Sequence, residues 1–269
     1  MECSHDRRCN WCYPATVAKR AKDGYIITGR KAFATLAPVL HHFTINAYLE
    51  DEDTIAEFLI IKNEQVKIIE TWNSIGMRGT GSHDIELNHV FVPEEALLSR
   101  LDQNDHHRFT ADSRAYSLLI PAVYLGIAHS ARQFILDFAT SEYSNSLGAP
   151  ICHASHVQEK LGQIEVLLKS SRTILYAIAE KWEQHSEFKH CFSDEVSIAK
   201  YFVCNNAIKI VELAMRIAGG HGLLKSYKLE RLFRDVQCGP FNPPQDDMII
   251  HQLAKSALTN INSDLTYMK

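Results

Sequence analysis

The sequence predicts an α+β chain in which an antiparallel, barrel-like β-domain precedes an antiparallel helical bundle. Three observations carry this. Residues 24–93 fall into short runs of period-two alternation, the apolar spacing changes to threes and fours from about Arg114, and the charged stretch EEALLSRLDQNDHHRFTADSR (94–114) separates the two patterns. The expected divisions are 1–13, outside either pattern, 14–100 for the β-domain and 112–265 for the helices.

Strands are expected in GYIITGRKAF (24–33), HHFTINAYLE (41–50), EFLIIK (57–62), VKIIETW (66–72) and HDIELNHVFV (83–92). In the second of these Phe43, Ile45, Ala47 and Leu49 share one face, as a half-buried strand requires. Asp23-Gly24 and the glycines at 79 and 81 punctuate the runs as turns.

A first helix carries Leu119, Val123, Ile127, Ser130, Phe134 and Phe138 and ends before the loop 144–150. A second carries Val157, Leu161, Ile164, Leu168, Leu175, Ile178 and Trp182. The third opens at Ser193, an N-cap followed by Asp194 and Glu195, carries Val203, Ala207, Ile210, Ala214 and Ile217, and stops at Gly219-Gly220. A short helix covers about Leu229 to Arg234, and a last one starts near Asp246 after Pro243-Pro244. Amphipathic helices joined by short polar connections build a bundle.

With 28 basic against 32 acidic residues the chain lacks the electrostatic footprint of a nucleic-acid binder. No uninterrupted apolar run reaches the ~20 residues of a membrane span, and MECSHDRRCNWC lacks a secretory h-region, so a cytoplasmic chain is expected. Seven scattered cysteines suit reduced thiols better than a disulfide framework. Cys3, His5, Cys9 and Cys12 contain one C-x-x-C pair, and a strong zinc signal would add a second knuckle, so no metal is expected.

Three stretches, in this order, resemble the acyl-CoA dehydrogenase superfamily: GYIITGRKAFATLAP (24–38), WNSIGMRGTGSHDIELNHVFVPEE (72–95) and AMRIAGGHGLLKSYKLERLFRD (214–235). The resemblance covers roughly residues 15–262. It implies a four-helix bundle after the β-domain, FAD, an acyl-CoA-like thioester substrate of fatty acid metabolism, an electron acceptor, and a homodimer or homotetramer. It puts the aromatic residue against the flavin ring at Phe33 and the hydroxyl on its pyrimidine and N5 edge at Thr35. It puts the turn that approaches the pyrophosphate of a neighbouring subunit's FAD at Gly219, Gly220 and Gly222. Arg216 stands where the family usually has Gln, and a guanidinium can reach a phosphate bidentately. His221, inside the turn, is read as structural. For the glycines a helix C-cap is an equally good physical reading.

The pattern also breaks. Residues 1–13 match nothing in the family's Pro-Gly loop, and the expectation is a chain without the N-terminal helical domain. The family's Glu base has no counterpart, since Asn242-Pro243-Pro244-Gln245 lies in its place and its alternative position aligns near Tyr116. Asp246 and Asp247, a few residues on, are the candidate carboxylates for proton abstraction, and capping of the helix they open is the competing reading. Ser144 replaces the family's inter-subunit Arg. The implied reaction is α,β-dehydrogenation of an acyl thioester; a flavin monooxygenase, which needs no carboxylate base, and a non-catalytic remnant are the alternatives.

Overall fold

The computed structural model of the protein describes residues 14–101, 111–184 and 193–266. The Cys3, His5, Cys9 and Cys12 cluster lies outside them, as does the side chain of Tyr116. Two compact units divide the chain, one holding the described residues up to Ser74 with 78–101, the other holding Ile75–Met77 with all that follows 110.

The first unit is a seven-stranded sheet. Its strands are β1 (Val17–Ala21), β2 (Gly24–Ala34), β3 (His42–Leu49), β4 (Thr54–Ile61), β5 (Val66–Ile69), β6 (His83–Pro93) and β7 (Leu97–Leu101), in the spatial order β5-β6-β2-β1-β3-β4-β7. All neighbours are antiparallel except β1 and β3. Alternation does what it should: Tyr25 and Ile27 from β2, Phe43, Ile45, Ala47 and Leu49 from β3, Ala56, Phe58 and Ile60 from β4, and Ile85 and Leu87 from β6 fill one core. Each large side chain buried there contributes about 1.5–3 kcal/mol of transfer free energy. Two strands were not expected from the sequence. β1 (VAKRA) and β7 (LLSRL) are short and charged, and β7 lies in the stretch read as a separator.

The second unit contains α1 (Ala111–Ser141), α2 (Ser155–Gln184), α3 (Ser193–Ala218), α4 (Lys228–Val236) and α5 (Asp246–Thr266). The faces expected of α2 and α3 are the buried ones. Of the face expected for α1, Phe138 is buried and Ile127 and Phe134 pack against the core, but the first half is rotated by about one residue. Leu119 and Val123 are 61% and 55% exposed, while Tyr124, Ala128, Ala131, Ile135 and Ala139 enter the core. Small alanines let α1 approach α3 closely, and packing chose them over the larger row of side chains beside them. Residues 117–141 are long and apolar enough, at a mean hydropathy of 1.2, to pass for a membrane span by length and composition.

Ile75–Met77 belongs to this helical unit. The Met77 N–H donates to Asp235 Oδ1 at 2.7 Å, Arg234 Nη1 donates to the Ile75 carbonyl at 3.1 Å, and a Cβ added at Gly76 would lie 2.1 Å from the Arg234 carbonyl oxygen. The Gly-Met pair of the second motif and the Arg-Asp pair of the third are therefore packed on one another.

Candidate functional site

On the sheet unit the candidate residues sit where β2 ends. The ladder with β6 runs Lys31 opposite Ile85 and Ala34 opposite His83, so β2 carries an extra residue in a bulge. Phe33 occupies that bulge at φ 58°, with its ring 72% exposed and edge-on to Trp72 at 6.2 Å between centroids. Positive φ is uncommon for a residue with a bulky side chain and is held by its surroundings. The holding group is Asp84, whose carboxylate accepts from the Phe33 amide, from Thr71 Oγ1 at 2.9 Å and from Arg30 Nε at 2.8 Å. Burial raises the Asp84 pKa, but these hydrogen bonds and the Arg30 charge outweigh it and leave the carboxyl below its ordinary value.

Thr35, two residues beyond the bulge, is exposed, and its Oγ1 lies 3.1 Å from Ser82 Oγ, which lies 2.8 Å from Thr80 Oγ1. The Leu36 N–H donates to the Thr80 carbonyl at 2.8 Å, tying this turn to 80–82. The result is an exposed flat ring and an exposed hydroxyl on one short segment, each braced from behind.

On the helical unit, Gly219 ends α3 at φ 56°, the left-handed conformation of a helix C-cap. Gly219 and Gly220 are exposed, with nothing within 4 Å of an added Cβ, whereas Gly222 is buried against Met215. Arg216, one turn earlier, is exposed and lines a 720 Å³ groove with Val166, Leu167 and Leu213. His221 packs against Phe138 at 5.6 Å and Tyr227 at 6.2 Å in an aromatic cluster.

Asp246 and Asp247 open α5. Asp246 accepts from Lys200 Nζ at 2.8 Å through Oδ1 and from Asn205 Nδ2 at 2.7 Å through Oδ2. Lys200 is fully buried and also donates to the Pro240 carbonyl at 3.3 Å. Asp247 is exposed. Between Pro240 and Asp246, Asn242 Nδ2 donates to the Tyr124 hydroxyl at 2.6 Å. Burial raises the Tyr124 pKa and pushes the Cys204 thiol up to about 12. The helix rise of 1.5 Å per residue puts Lys200 and Arg216 about 24 Å apart along α3. Asp246 and the glycine turn thus occupy different ends of that helix.

Two features escaped sequence reasoning. Lys200 carried a signal: Val196, Lys200, Val203, Ala207, Ile210, Ala214 and Ile217 follow one another at fours and threes, so a lysine stands on an apolar stripe. The Asp84 brace carried none, because the bulge that brings the Phe33 amide to it has no glycine or proline to mark it.

A sequence profile of the acyl-CoA dehydrogenase C-terminal domain matches residues 117–258, and one of the middle domain matches residues 11–90. The fold is that of a flavoprotein family, and the chain belongs to the acyl-CoA dehydrogenase family. Among its relatives, YdbM of Bacillus subtilis, provisionally named an acyl-CoA dehydrogenase, is 39% identical over 246 residues, 91% of this chain and 63% of YdbM. The 3-(aryl)acrylate reductase of Clostridium sporogenes is 31% identical over 230 residues, 83% of this chain and 58% of the reductase. Butyryl-CoA dehydrogenase from Megasphaera elsdenii, at 19% identity, shares the fold with a TM-score of 0.80 over 90% of this chain and 63% of its own. The chain spans about three fifths of the length of these relatives.

Proposed function

We propose that the protein serves a flavin-dependent oxidoreductase that desaturates, or in reverse reduces, the CH–CH bond next to an acyl thioester. The observation that carries this reading is the β2 bulge, which exposes Phe33 and Thr35 together while Asp84 and Ser82 fix them from behind. FAD fits these residues: a flat ring can lie along Phe33, the Thr35 hydroxyl can meet a polar edge, and the open backbone at Gly219 and Gly220, with Arg216, suits a pyrophosphate. The flavin, when bound, accepts the hydride. The separation of the glycine turn from Asp246 supports the reading in which the turn serves a neighbouring copy in a homodimer or homotetramer.

For the proton step the carboxylate we favour is Asp247, since both oxygens of Asp246 are engaged by Lys200 and Asn205. That same engagement favours the second reading, a flavin monooxygenase, in which no carboxylate base is required. The experiment is flavin analysis of the purified chain followed by anaerobic mixing with an acyl-CoA. Bleaching of the flavin band supports the first reading. Bleaching with NAD(P)H or reduced flavin alone, followed by oxygen uptake, supports the second, and colourless protein that takes up no added FAD sinks both. If Asp247 is the base, Asp247→Asn lowers the bleaching rate by about a hundredfold or more, and an unchanged rate removes it from the mechanism.

A further inference from the structure

We propose that Lys200 is a positioning residue that clasps the segment 240–246 at both ends and so fixes the pose of Asn242–Gln245 and Asp247 at the substrate. The inference rests on the reading that this segment borders the substrate, as its place in the family pattern implies. Lys200 Nζ donates to the Pro240 carbonyl, where the segment begins, and to Asp246 Oδ1, where it ends. Asn205, just over one helical turn further along α3, takes the other Asp246 oxygen, and Asn242 is tied to Tyr124 from α1. Among the described residues, the span between has local backbone hydrogen bonds only at its ends, from Phe241 to the Cys238 carbonyl, from Asn242 to the Gly239 carbonyl and from Ile249 to the Gln245 carbonyl. Phe241 is 73% exposed, and Pro243 and Gln245 are exposed as well.

A fully buried lysine is a poor device for stability alone, because a buried ion pair gains little over well-packed apolar side chains of the same volume. What it does supply is direction. One ammonium, held on a helix stripe between Val196 and Val203, addresses two acceptors and thereby sets the distance between the ends of the loop. Beneath it lies a built-in reporter. Gly239 covers the buried Cys204, with an added Cβ there falling 3.1 Å from the Cys204 Cβ, so the thiol is reached when the segment lifts.

The test compares Lys200→Met/Asp246→Leu, which replaces the pair by apolar groups, with Asn205→Ala, which leaves the charge pair intact. Thermal midpoint, amide exchange over 239–247 and the rate of Cys204 modification by a thiol reagent are measured on the purified chain, and kcat and KM on flavin-loaded protein. The double variant is expected to melt within a few degrees of the wild type while exchange and Cys204 modification rise about tenfold or more and kcat falls about tenfold with KM less changed. Asn205→Ala is expected to raise exchange about threefold, and it decides the matter if the double variant does not fold. Wild-type exchange and labelling in a folded variant overturn the clasp, and wild-type kcat beside faster exchange overturns the positioning role. Failure of the wild-type flavin to bleach with any acyl-CoA would remove the proposed chemistry while leaving the exchange and labelling results standing.

Discussion

At Phe33 the chain holds a bulky aromatic at positive φ with its ring in solvent, an arrangement that stability alone would not select. Thr35 extends the same segment with a hydroxyl whose partner, Ser82, is buried. Thr35→Ala is therefore expected to weaken FAD retention about tenfold while leaving the far-ultraviolet circular dichroism and the melting temperature near wild type; equal flavin occupancy in the two proteins would refute the assignment. Asp84 is the residue that makes the bulge possible. Its carboxyl is depressed in the folded chain, so the stability it contributes is full above the unfolded value near pH 4 and is lost as the pH falls through the lower folded value. Asp84→Asn is expected to lower the melting temperature by about 2–6 °C at pH 7, and the gap should close on acidification below pH 4. A gap independent of pH would mean that the charge is not what braces Phe33.

The elements show how far the sequence was legible. α2, α3 and the paired strands β3 and β4 were readable because each buries one regular face, and a regular face is a period. The first half of α1 was misphased because it presents two adjacent apolar rows, and the choice between them lies in how closely α3 can approach. β1 escaped because Ala18 is its one buried apolar residue and two of its five positions are charged. At the site, Phe33, Thr35 and the glycine turn came from a motif resemblance, whereas Asp84 and Lys200 act through partners far away in sequence, Phe33 for the one and Pro240 and Asp246 for the other. The segment Ile75–Met77 offers an element-scale test. Gly76→Ala forces a methyl group onto the Arg234 carbonyl, where backbone cannot yield, and is expected to lower the melting temperature by about 5 °C or more. A melting curve superimposable on the wild type would show that this segment is free to move off α4.

For the molecule as a whole, a bound flavin is a mass-action stabiliser of the folded state. Free FAD at about a hundred times its Kd is expected to add about 2.7 kcal/mol, seen as a rise of about 5–10 °C in the melting temperature; the absence of any shift at millimolar FAD would argue against a flavin site in this chain. The order of strands in the sheet has a consequence of another kind, for the time course of folding. β2 and β6 lie side by side with Gly24 opposite Pro93, so their ladder closes only after β3, β4 and β5 have been spanned. Closing such a loop is slow compared with the pairing of β3 with β4, which follow one another along the chain. Although β2 is made before β3 and β4 during synthesis, its amides should gain protection after theirs in pulse-labelled refolding, and the bulge that shows Phe33 to solvent should be among the last parts of the sheet to set.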